Sequence, residues 1–220
     1  MIGIPGLDNE REELAVCARA AVEVPDHLAV APAEQRPALI VVAMTANMIL
    51  INRAPVLTLW ASLVAERLGF KHDEALSLGK AVAGLTAQSK GQRLGIFKPT
   101  PKELKKVREQ ERGEEFRVEL LGRALSAVNT DQGVRAVIES KPIDPGGVER
   151  YLEGKFGDAL PKARKAMTEL ANALNPDDLA QKGFGLYEQF RPNIPEGVVG
   201  WGAKGELDLG RISKLAHQTH

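Results

Sequence analysis

Apolar residues recur at helical spacing in two neighbouring stretches of the chain. The first begins at Pro55, whose fixed φ suits the opening turn of a helix, and its apolar face ends at Gly69. The apolar members of that face are Val56, Leu59, Trp60, Leu63, Val64 and Leu68. The second stretch has Asp73 as its predicted N-cap and continues to Ser89. The pattern predicts two consecutive helices that are joined after Gly69.

The second predicted helix carries a small-residue ridge, which consists of Ala75, Gly79, Ala83 and Ala87. Small side chains on one side of a helix allow the backbone of another helix to come close. Packing inside the domain explains such a ridge, and so does packing against a second copy of the chain. The sequence therefore predicts a tight helix contact, and it leaves open whether the partner is the same chain or a homo-oligomer.

Apolar and charged residues alternate over 116–120, and turn-forming residue types follow at 129–133. Alternation with a period of two is typical of a strand that is buried on one face. We therefore expect one or two strands near 115–128.

Beyond Pro145 the apolar residues return to helical spacing and predict three helices, the last two separated at 175–177. A loop rich in Pro and Gly over 191–205 and a short terminal helix over 207–216 complete the chain. The predicted fold class is mainly α: a helical domain with a small β element of one or two strands near 115–128.

Charge divides the chain into two parts. Residues 1–44 include three basic and seven acidic residues, whereas residues 45–100 include seven basic and three acidic ones. Pro25, Pro32 and Pro37 interrupt the acidic stretch before the change of sign. We expect an acidic N-terminal appendage, 1–37, followed by a mainly helical domain, 38–220.

Over the whole chain 29 basic residues balance 29 acidic ones, so no overall field attracts nucleic acid or a membrane surface. The single cysteine, Cys17, fits a reducing compartment. The longest apolar run, 38–51, is shorter than the roughly 20 residues that a membrane helix requires. Of the histidines, only His217 and His220 have ligand-like spacing, and they lie in the last residues. We expect a cytoplasmic protein without a membrane partner, metal or cofactor.

Three short motifs match parts of known catalytic or phosphate-binding signatures. Residues 197–204 lack the Gly-Lys-Ser/Thr ending of a phosphate-binding loop. Ser77 and Lys80 have the spacing of the first motif of acyl-serine enzymes, but the two accompanying motifs are missing. Residues 87–91 are a relaxed form of the nucleophile elbow G-x-S-x-G, which requires a sharp strand-to-helix turn. Ser89 instead lies at the end of a predicted helix. No catalytic residue is predicted.

Residues 61–80 have the outline of a helix-turn-helix unit, because Ala65 and Gly69 have the separation of its interhelix contact and turn. A recognition helix presents Arg, Lys, Asn or Gln to base edges. The side of the second helix that would face DNA carries His72, Glu74, Ser77 and Lys80. This composition favours plain helix packing over base reading.

The chain downstream of this unit is basic. Residues 90–112 include eight basic and three acidic residues, a net charge of +5. Such a patch could neutralise phosphates without reading sequence, although a charge run of this kind is more often a solvated helix face. The candidate contacts to duplex DNA are Lys80, Lys90, Arg93 and Lys98.

Four segments resemble a family of bacterial proteins to which no function is assigned. They are NRAPVLTLW at 52–60, KAVAGL at 80–85, KFGDAL at 155–160 and GWGAKG at 200–205. The similarity covers residues 44–216. The resemblance implies a bacterial, cytoplasmic protein, and it implies no catalytic or binding residue.

Two functions of different classes are consistent with these patterns. The first is a nucleic-acid-associated, regulatory protein that uses the helix-turn-helix-like pair and the basic segment after it. The second is a non-catalytic scaffold or oligomerising protein that assembles through the small-residue ridge. Basic side chains on one exposed face would favour the first function, and an exposed ridge would favour the second.

Overall fold

The computed structural model describes residues 47–93, 115–138, 141–198 and 203–218. The predicted appendage 1–37, the charged stretch 102–112 and Lys98 lie outside these ranges. What the sequence predicts for them stays a prediction.

The described residues form six α-helices and six strands. In chain order they are β1 (Met48–Ile51), α1 (Arg53–Arg67), α2 (His72–Arg93), β2 (Phe116–Leu120), β3 (Arg123–Thr130), β4 (Gly133–Ile138), β5 (Lys141–Pro142), α3 (Pro145–Phe156), α4 (Leu160–Asn172), α5 (Pro176–Phe190), β6 (Gly205–Asp208) and α6 (Leu209–Gln218). A short 3-10 helix, Gly157–Ala159, joins α3 to α4.

Two antiparallel sheets make the fold mixed α/β, so the prediction of a mainly helical domain with one or two strands near 115–128 is wrong. The larger sheet has the order β2-β3-β4-β5. It is larger than predicted because the chain turns back again at Asp131-Gln132. Gly133 follows this turn with φ at +104°, a left-handed backbone that favours glycine.

The smaller sheet pairs β1 with β6. Met48 lies opposite Asp208, and Ile51 lies opposite Gly205. Neither strand is predicted from the sequence, because β1 ends an apolar run without alternation and its partner lies at the other end of the described chain. Since β6 occupies 205–208, the terminal helix begins at Leu209 and not at 207.

The helices expected from apolar spacing are present. The first two become α1 and α2, with Gly69 at φ +100° in the connection between them. The three helices beyond Pro145 are α3, α4 and α5. Asp144 and Asn175 cap α3 and α5 by accepting backbone N–H groups, and a proline follows each cap.

Helix α1 forms the centre of the core, because every residue over 55–65 is buried. The indole N–H of Trp60 donates to the carbonyl oxygen of Gly183 on α5 at 2.8 Å. The Trp60 ring also meets the Phe190 ring edge-on, with 5.3 Å between the centroids. A helix that is enclosed in this way has to be apolar on most of its surface, as the sequence of α1 is.

Helices α1 and α2 come into close backbone contact at Gly79. A Cβ atom at this position would lie 2.6 Å from the carbonyl oxygen of Thr58 and 2.8 Å from the backbone nitrogen of Ser62. Ala75 and Ala83, one turn away on either side, are buried as well. The predicted tight helix contact is confirmed at Gly79, and α1 of the same chain is the partner there.

We expect Gly79→Ala to destabilise the fold, because the added methyl group would overlap backbone atoms that cannot rotate away. The free energy of unfolding should fall by about 1–3 kcal/mol, the usual penalty for overpacking. Urea unfolding followed by circular dichroism measures this change.

Gly185 on α5 provides the matched control, because a Cβ atom there would meet no atom within 4 Å. Gly185→Ala should stabilise the protein by roughly 0.5–1 kcal/mol, since alanine loses less backbone entropy in a helix. A Gly79→Ala protein as stable as its parent would show that the two helices are not in close contact.

Candidate nucleic-acid interface

The side of α2 that would read bases in a helix-turn-helix protein packs against strand β4. Glu74 Oε1 accepts the backbone N–H of Val134 at 2.9 Å, and Ser77 Oγ accepts the backbone N–H of Ala136 at 3.2 Å. Both side chains are buried, with Ser77 at 0% exposure and Glu74 at 9%. We call these two residues the edge clamp. Because the edge clamp is engaged with β4, it is not accessible to base edges.

The edge clamp exists because β4 has one incompletely paired edge. Strand β3 pairs with one side of β4, whereas β5 pairs only with Val137 and Ile138 on the other side. The N–H groups of Val134 and Ala136 therefore need acceptors from elsewhere, since a buried unpaired N–H group is costly. The edge clamp on α2 supplies them.

Glu74 also caps its own helix. Its Oε2 accepts the backbone N–H of Lys71 at 2.9 Å, as the third residue of a capping box does. The backbone N–H of Val134 lowers the pKa of the Glu74 carboxyl most, and that of Lys71 lowers it further. Asp73, the predicted N-cap, lies inside the first turn of α2, so that detail of the prediction is wrong.

Asp73 instead faces Arg135, a buried residue of β4. One terminal nitrogen of Arg135 donates to the carbonyl oxygen of Val134 at 3.0 Å. The other lies 3.7 Å from Asp73 Oδ2 and has no hydrogen-bond partner among the described residues. This ion pair is a further link between α2 and β4.

His72 and Lys80, the remaining residues of the predicted reading side, make contacts with other helices. The His72 ring lies between Glu66 of α1 and Glu149 of α3. The Lys80 Nζ atom lies 3.6 Å from the centroid of the Tyr151 ring on α3, a cation–π contact. All four residues of this side therefore connect α2 to other elements of the same chain.

The end of α2 is different, because Lys90 and Arg93 are exposed there. Gly79 packs against Thr58 and Ser62, and α2 continues for 14 residues from Gly79 to Arg93, whereas α1 begins at Arg53, so the end of α2 extends past the start of α1. With 3.6 residues per turn, both basic residues point within about 40° of the direction of Gly79. The side of α2 that carries small residues where it packs against α1 therefore carries basic residues past the start of α1.

The four predicted contacts do not form one cluster. Lys90 and Arg93 share one side of α2, whereas Lys80 points about 100° away from Gly79 and lies about 15 Å from Lys90 along the axis. Lys98 lies outside the described residues. The sequence does not predict that Tyr151 contacts Lys80 or that the charge of Lys155 acts on it, because both depend on the packing of α3 against α2.

The serine motifs are engaged in helix hydrogen bonds. Ser77 Oγ donates to the carbonyl oxygen of Glu74 at 2.8 Å, and Ser89 Oγ donates to that of Leu85 at 2.9 Å. Gly205, in the glycine-rich segment, begins strand β6 and not a helix.

Within the described ranges, no group of three or more His, Cys, Asp or Glu side chains is arranged to hold a metal ion. No helix in this part of the chain has the length and apolarity to cross a membrane.

We expect Glu74→Gln to weaken the fold at neutral pH, because the amide has only one oxygen acceptor for the two N–H groups that the carboxylate accepts. The free energy of unfolding at pH 7 should fall by about 2 kcal/mol, as is typical when a hydrogen bond to a charged group is lost. The pKa of Glu74 is lower in the folded protein than its usual 4.5, so its contribution is present above pH 4.5 and is lost as the pH falls through the folded-state value.

The difference in the free energy of unfolding between the parent and Glu74→Gln should therefore shrink as the pH is lowered from 7 to 3. Urea unfolding at each pH measures it. Glu119→Gln is the control, because Glu119 is exposed on β2. Equal stability of the parent and Glu74→Gln at pH 7 would contradict the role of the edge clamp.

No protein-family model matches the chain, and no curated protein or solved structure matches it either. The resemblance to a bacterial family therefore stays a prediction. The chemistry of the described residues is the basis on which a function can be proposed.

Proposed function

We propose that this protein associates with nucleic acid by contacting phosphates and does not read base sequence. The contacts are Lys90 and Arg93 at the exposed end of α2, together with the basic segment after them, which includes Lys98. The observation that carries the proposal is the division of α2 into two parts: its candidate reading side is engaged with β4 and α3, and its end is basic and exposed.

Charge supports phosphate binding more than a purely structural role. Basic residues in the last turn also stabilise a helix by offsetting the negative end of its dipole, by about 0.3–1 kcal/mol each. That effect falls off within one turn, however, whereas the excess of basic residues continues from Lys90 through 112 with a net charge of +5. A run of positive charge of this length in a neutral chain fits a polyanionic partner.

The scaffold alternative has less support. A subunit contact through the small-residue ridge needs the ridge to be exposed, but Ala75 and Ala83 are buried, Gly79 packs against α1 and Ala87 is half-buried. We retain a cytoplasmic location as part of the proposal, on the basis of the single Cys17.

Fluorescence anisotropy with a labelled mixed-sequence duplex tests the proposal at a series of KCl concentrations. Binding should weaken steeply with salt, and a second duplex of scrambled sequence should bind equally well. For the Lys90→Ala/Arg93→Ala double variant, the slope of log K against log salt should be flatter by about 1.8, since each lost phosphate contact removes about 0.9.

The Arg211→Ala/Lys214→Ala variant is the matched control. It removes the same charge from exposed positions on α6 and should leave the slope unchanged. The proposal fails if the unmodified protein does not bind either duplex at low ionic strength. It also fails if both double variants lose the same slope, or if one duplex is strongly preferred.

A further inference from the structure

Two lysines from different helices lie near Tyr151 of α3. Lys80 of α2 places its ammonium group over the Tyr151 ring of α3, 3.6 Å from the centroid. Lys155 follows Tyr151 by four residues on α3, so the two side chains are neighbours on one side of that helix. Lys80 is therefore held at the ring, and Lys155 projects from the same side of α3 one turn away.

The two ammonium groups lie in each other's field. Burial lowers the pKa of Lys80 below its usual 10.5, and the charge of Lys155 lowers it further. Like charges at short range are unfavourable unless an anion lies between or beside them. The cation–π contact fixes the position of Lys80 in advance, so part of the entropy of ordering it is already lost before an anion binds.

The carboxylates around α3 have partners other than Lys80 and Lys155. Glu149 lies 3.8 Å from His72 and 3.9 Å from Arg164, and Asp144 lies 3.5 Å from Arg150. Glu153 precedes Lys155 by two residues, which directs it to the opposite side of α3. Within the described ranges, no ion pair joins Lys80 or Lys155 to a carboxylate.

We propose that Lys80, which lies over the Tyr151 ring, and Lys155, one helical turn after Tyr151 on α3, form a subsite for one phosphate group. Ammonium groups bind phosphate as point charges, and two of them suit a group with more than one anionic oxygen. The phosphate belongs either to a nucleic-acid backbone, in which case the inference rests on the proposed function, or to a free phosphate compound.

The location of the subsite suits the first source. It lies about 15 Å from Lys90 along α2, which is the rise of about four base pairs of duplex. Lys80 and Lys90 point about 80° apart around the helix axis, so a strand that contacts both has to cross from one side of α2 to the next.

NMR spectra of protein with 13C-labelled lysine, titrated with inorganic phosphate, test the subsite directly. The ε-methylene signals of Lys80 and Lys155 should shift saturably with phosphate and should not shift with chloride at equal ionic strength. Lys155→Glu places a carboxylate beside Lys80, and it should weaken phosphate binding by more than roughly tenfold, since like-charge contacts with a ligand are strongly unfavourable. Lys155→Arg should retain binding.

Lys165→Glu makes the same change of charge at an exposed position of α4 and should bind phosphate like the parent protein. Lys155 is itself exposed, so both of its variants should fold. The subsite is overturned if the phosphate shifts are not saturable, if chloride reproduces them, or if Lys155→Glu binds phosphate as well as the parent.

The duplex assay then separates the two proposals. If the parent binds duplex and Lys155→Glu flattens the salt slope, the phosphate comes from nucleic acid. If the parent binds phosphate at Lys80 but no duplex, the proposed function fails and the subsite stands for free phosphate compounds. If duplex binds with the same slope to both proteins and inorganic phosphate does not bind, the proposed function stands and the subsite is wrong.

Discussion

The backbone contact between α1 and α2 at Gly79 determines how the rest of α2 is used. Because Thr58 and Ser62 leave no room for a side chain at this point, the rotation of α2 about its own axis is fixed. One side of α2 then packs against α1, the next holds the edge of β4 through Glu74 and Ser77, and a third places Lys80 over α3. The polar residues of the helix thus serve its attachment to its neighbours.

The length of α2 gives the protein an exposed basic helix end. Over its first part the helix is enclosed by α1, β4 and α3, and there it supports the fold. Past the start of α1, the side of α2 that carries Gly79 also carries Lys90 and Arg93, which are exposed. A single helix therefore combines a first part, whose residues Glu74 and Ser77 are engaged with β4, and an end whose basic residues are exposed to a polyanion. This separation is why we propose phosphate contacts and not base reading.

The sequence predicts the parts of this fold that depend on local spacing. Apolar periodicity locates the helices, and small residues four apart predict the contact at Gly79. The pairing of β1 with β6 is not predictable in this way, because two four-residue strands far apart in the chain leave no local pattern. Glu74 and Ser77 look like residues of an exposed face, since a sequence does not show that the N–H groups of Val134 and Ala136 need acceptors. Lys155 and Tyr151 join Lys80 only through the packing of α3, so that cluster also requires the structure.

The most direct test of this account is amide hydrogen exchange of the intact protein, measured by NMR with and without a mixed-sequence duplex at low salt. The Val134 and Ala136 amides should exchange slowly and at the same rate in both samples, because the edge clamp stays in place, whereas signals of Lys90 and Arg93 should change when duplex is added. Fast exchange of Val134 and Ala136 in the free protein, or its acceleration by duplex, would contradict the claim that this side of α2 belongs to the fold.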